Sequence, residues 1–95
     1  MSEYSEAIKR GLKPQINTGT ASTTAVTITT TPGAKAMKLF NRDDSEDLLY
    51  SLDGGTTYLA CPPLAVVDEA IEATSILLAT AANTAVYDLK VALSQ

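Results

Sequence analysis

The chain reads as all-β: an antiparallel β-sandwich or small barrel of six to seven short strands, preceded by a short helix and an extended arm. Three observations predict this. Residues 25–29 and 85–93 alternate from one side to the other with a period of two, as strands with one buried face require. Asp53-Gly54-Gly55 hinges two short apolar runs and supplies residues that tolerate the positive φ of a tight hairpin turn. A helical pattern occurs once, at residues 2–10.

In SEYSEAIKR, Ser2 is placed as N-cap, Glu3 and Glu6 favour the positive end of a helix, Lys9 and Arg10 favour the negative end, and Gly11 stops it. Tyr4, Ala7 and Ile8 share one face, too small a face to hold nine residues helical without docking. Residues 11–24 show no period, one proline and many small polar residues, and read as an arm. Residues 1–24 are thus a helix and arm, and 25–95 a β-sandwich domain expected to fold by itself.

Val26 and Ile28 share a strand face, and Pro32-Gly33 ends that strand with a turn. A second strand follows over 35–41, with Met37 and Leu39 opposite Lys38. Residues 42–47 form a charged loop, and the Asp53 hairpin comes next, its second strand closed by Pro62-Pro63, which lack backbone donors. Residues 64–67 read as another short strand. In 74–82 alanine and leucine favour helix, but Thr74, Ile76, Leu78 and Thr80 make a strand face, and the segment is read as strand. The clearest strand is the last: Ala85, Tyr87, Leu89, Val91 and Leu93 alternate with a face that carries Asp88 and Lys90.

Composition excludes more than it names. Ninety-five residues make one small domain, and a formal charge of −4 with seven scattered basic residues argues against nucleic acid as partner. The most apolar segment, 76–82, falls far short of the roughly 20 residues that span a bilayer, so no membrane partner is expected, and the N-terminus has no basic-then-apolar export pattern. Cys61 lacks a partner for a disulfide, which suits folding in a reducing cytoplasm, and reads as a small buried hydrophobe.

The candidate chemical sites are weak. Asn41-Arg42-Asp43-Asp44-Ser45-Glu46-Asp47 is the densest set of oxygen ligands, but it lacks the alternating acids, central glycine and terminal glutamate of a calcium loop and reads as a solvated loop. Asp68, Glu69 and Glu72 are imaginable as paired carboxylates for glycoside hydrolysis, which would want a cleft with aromatic walls, and the chain has one Phe and no Trp. With no histidine, a nucleophile at Cys61 would lack the usual base. No catalytic, cofactor or metal residue is therefore assigned. Tyr50, Tyr58 and Tyr87 suit either an interface or an ordinary strand core.

The succession Gly33-Ala34-Lys35-Ala36-Met37-Lys38-Leu39-Phe40-Asn41, a charged turn, Leu49-Tyr50-Ser51-Leu52-Asp53-Gly54-Gly55-Thr56-Thr57-Tyr58, Pro62-Pro63 and the closing strand 85–93 resembles small virion proteins of tailed bacteriophages. It looks most like the capsid decoration, or cement, proteins that sit on the outer shell and strengthen it. The similarity spans residues 25–93 and rests on strand and turn pattern. It implies a non-enzymatic virion structural protein that folds in the host cytoplasm, binds the major capsid protein as a homo-oligomer and needs no cofactor. Tyr4, Ile8, Leu12 and Ile16 are then the residues expected to contact neighbours, with packing back onto the same domain as the other reading. The alternative function is a receptor- or carbohydrate-binding module of a phage tail or fibre, against which the absence of tryptophan counts.

Overall fold

Helix α1 (Glu3–Lys9) is followed by six strands: β1 (Lys13–Ala21), β2 (Val26–Asn41), β3 (Leu48–Ser51), β4 (Leu59–Cys61), β5 (Val66–Ala79) and β6 (Ala85–Leu93). The computed structural model describes residues 2–94. The expected class holds, with every pairing antiparallel and six strands in one sheet of order β1-β6-β2-β5-β3-β4.

The largest departure from the sequence reading is the arm. Residues 13–21 are a full strand, in register with β6 from Lys13 opposite Leu93 to Ala21 opposite Ala85. A radius of gyration of 12.4 Å is that of a compact chain of this length. The periodic signal is missing because the side of β1 that faces the core carries Gln15, Asn17 and Gly19. A β-carbon on Gly19 would lie 2.9 Å from the buried Tyr87 hydroxyl, so the space a side chain would fill is already taken.

Two further differences are mergers. The strands expected at 25–29 and 35–41 are one strand, β2, which runs on through Pro32-Gly33 with a register shift against β5 between Thr29 and Ala34. Pro32 is tolerated because it is exposed at that irregularity. Likewise 66–79 is one strand, β5, where short strands at 64–67 and 74–82 are expected. Its helix-favouring end is held extended by β2 on one side and β3 on the other.

The shift lets the sheet fold over itself. Residues 34–41 of β2 pair with β6, but 26–29 pair with β5 alone, so Ile28 and Ile76 join the same core as Tyr87 and Leu89. The N–H of Thr80 closes the fold with a 2.8 Å bond to the carbonyl of Ser22, just beyond β1. Met37, Leu39, Leu48, Ile76, Leu78, Leu89 and Val91 are fully buried in this sandwich-like core. Tyr50 and Tyr87 are core residues too, whereas Tyr58 is exposed.

The hairpin at Asp53 forms as expected, with a longer loop. β3 and β4 pair, and Gly54 and Gly55 take φ of 77° and 96°, the conformation for which glycine is suited. The Asp53 carboxylate is held below its ordinary range by the Thr57 N–H and then the Ser51 hydroxyl, and Ser51 in turn accepts from Gly55 N–H at 2.9 Å.

Candidate interaction surface

One face of the sheet is the core; the other is half covered by α1. Alanine decides where the helix sits. Ala7 is fully buried against Ala36 of β2 and Ala92 of β6, small residues that let the helix approach the strands closely, and Tyr4, Ile8 and Leu12 pack around that contact. Ser2 is the N-cap, as the sequence predicts, accepting from Ser5 N–H at 3.1 Å, and Gly11 ends the helix at φ 92°.

Asp68 of β5 is the anchor. It accepts from the Ser2 hydroxyl and, at 3.1 Å, from the Tyr4 N–H. Burial by itself would raise this carboxyl, but the Ser2 hydroxyl, the Tyr4 N–H and the Lys38 ammonium outweigh it and hold the group below the ordinary carboxylate range. A depressed folded-state pKa gives stability that is present above the unfolded value and lost as pH falls through the folded one. Asp68→Asn should therefore loosen α1 by about 1 kcal/mol, discounted for solvent, and remove the acid sensitivity of its docking. Amide exchange of α1 between about pH 6 and pH 3 checks this: the wild-type helix should lose protection on acidification, while the variant should start low and stay flat.

Of the four residues expected to meet neighbours, Tyr4, Ile8 and Leu12 thus dock the helix on its own sheet and are half-buried. Ile16 is not with them: it sits on β1 and is 62% exposed. Among the described residues β1 is bonded on one side only, by β6, so its outer edge is open along nine residues.

Beyond the helix, the outer face is bare. Lys38 and Lys90 lie directly opposite each other on β2 and β6, an unfavourable pairing of like charges, and Phe40 stands between Asp88 and Val66. Lys38, Phe40, Val66, Asp88 and Lys90 line a shallow depression of about 290 Å³. At its end, residues 62–65 form a turn closed by Ala65 N–H to Pro62 C=O at 3.1 Å. Leu64 takes φ 59° there and is 59% exposed. That position in a turn suits glycine. Sequence reasoning missed this surface, because alternation separates the faces of one strand and does not say which residues of distant strands become neighbours.

The remaining candidates are each engaged separately. Asp43 accepts from the N–H groups of Glu46 and Ser45, which hold its carboxyl below the ordinary range and close the acidic loop on itself. Asp68 anchors the helix, Glu69 lies 3.5 Å from the Tyr50 hydroxyl, and Glu72 pairs with Lys35 at 2.8 Å. Cys61 is buried, which pushes its thiol up. Among the described residues no cluster of His, Cys, Asp or Glu is suited to a metal ion. Nor, among the described residues, is any helix long and apolar enough to cross a membrane. Neither a protein-family model nor a curated protein matches the chain.

Proposed function

We propose that this chain is a non-enzymatic structural protein of a tailed-bacteriophage virion, which folds in the host cytoplasm and decorates and stabilises the capsid shell by binding the major capsid protein. The observation that carries the reading is the open edge of β1. It offers nine residues of strand with Ile16 standing out from them, and a neighbouring chain can extend the sheet there through main-chain hydrogen bonds. Lys13 and Pro14 guard the start of the edge, as befits a strand that must not pair indiscriminately. The shell as partner is supported by the resemblance carried by residues 25–93, and repetition over a lattice would multiply a modest single contact without any cofactor.

Co-sedimentation with shells lacking their own copy tests this. The wild type should pellet with shells and Ile16→Lys, at an exposed position, should bind about ten-fold or more weakly with unchanged circular dichroism. Failure of the wild type to pellet, together with binding on a glycan array, would replace this reading with a receptor-binding module.

A further inference from the structure

We propose that two copies of this chain associate about a two-fold axis through the bare end of the outer face, each seating its Leu64 in the other's depression and laying its acidic loop over the other's Lys90. The depression begins one strand in from the β1 edge of the shell reading, with Lys90 directly opposite Ile16, so the two claims are told apart by Leu64→Gly, which leaves β1 and β6 untouched.

Leu64 is the first observation. A leucine held at φ 59° occupies a backbone conformation that L side chains rarely adopt, and its side chain is 59% exposed and stands outside the core cluster. Glycine would serve the turn with less strain, so the leucine is displayed at a cost to the isolated fold.

The receptor for it lies two residues along. Phe40 and Val66 give the depression its apolar lining, beside Lys38, Lys90 and Asp88, the last paired with Arg42 at 3.6 Å. Lys38 and Lys90 stand opposite each other on β2 and β6; Lys38 also stands opposite Asp68 of β5, whose carboxyl its ammonium helps to hold down, whereas Lys90 forms no ion pair among the described residues.

Charge complementarity names the occupant. The Leu64 N–H donates to the Asp43 carbonyl at 3.0 Å, so the acidic loop travels with the leucine. Asp44 and Asp47 on that loop are exposed and likewise without an ion pair among the described residues. Knob with acids, and depression with the unpaired Lys90, therefore sit side by side on one chain, which is the self-complementary patch that a two-fold contact uses twice. A net charge of −4 opposes association elsewhere on the surface, so the local lysine–aspartate attraction is what selects this face.

Sedimentation equilibrium of the full chain, up to about 1 mM and over a range of salt, provides the test. A reversible dimer that weakens with salt is expected. Leu64→Gly should weaken it about ten-fold or more while leaving the thermal midpoint unchanged or higher, because the strain is relieved. Lys90→Glu should weaken it too, and adding Asp44→Lys to that variant should restore part of the loss. A monomer at every concentration, or a dimer indifferent to Leu64→Gly and to the charge exchange, would overturn the proposal. Shell co-sedimentation of Leu64→Gly, outside β1 and β6, reads the other claim separately.

Discussion

Removing residues 1–20 is expected to abolish cooperative folding, whereas removing residues 1–11 should leave a folded sheet. The longer deletion takes away eight of the nine residues that pair with β6. Tyr87, Leu89 and Val91, all core residues, would then lie on an edge strand that keeps β2 but has lost its other hydrogen-bonding partner. The loss should exceed about 4 kcal/mol, comparable with the whole net stability of a small domain. The shorter deletion removes only α1 and its cap, uncovering Ala36 and Ala92, and should cost about 1–2 kcal/mol. Far-UV circular dichroism and urea melts of the two truncations decide the matter: a cooperative melt of the longer deletion close to that of the full chain would show β1 to be a detachable ribbon.

Asn41→Leu should destabilise the fold by about 3 kcal/mol although it keeps the branched side-chain skeleton and adds apolar surface. Asn41 is fully buried, and its side-chain amide donates to the carbonyls of Glu46 at 2.8 Å and Cys61 at 3.0 Å. Its oxygen accepts from Asp43 N–H at 3.0 Å. One side chain thus ties the start of the acidic loop, its end and the close of β4 together. Leucine would leave two carbonyls and an N–H without partners, some of them beyond the reach of water. Urea denaturation measures the cost, and amide exchange over residues 42–47 should rise in the same variant. A change within about 0.5 kcal/mol would mean that water substitutes for the amide at all three groups.

Asn41 shows where reading the chain alone stops. In sequence it closes the strand read over 35–41 and opens a run of oxygen-bearing residues weighed as a metal site or a solvated loop; in the fold it is a buried bracket, because the last position of β2 falls opposite Tyr87 on the core side of the sheet. Leu64 is the converse case, an apolar residue read as strand that the turn at Pro62-Pro63 displays to solvent.

The sequence by itself determined what depends on near neighbours in the chain. Alternation in 85–93 is enough to make β6, since each apolar residue there needs the same side buried; Gly54 and Gly55 are enough for the turn, since positive φ is a property of the residue; Ser2 and Gly11 are enough to bound α1. Only the tertiary structure decided the rest. β1 has too little apolar side to declare itself and is a strand because β6 offers it a ladder of hydrogen bonds. β2 and β5 run on through proline and through helix-favouring residues because partners on their flanks hold them extended. The outer face, with its opposed lysines and displayed leucine, exists only once register has placed β6, β2 and β5 side by side, and register between distant strands is written in the packing of the whole sheet, not in any one segment.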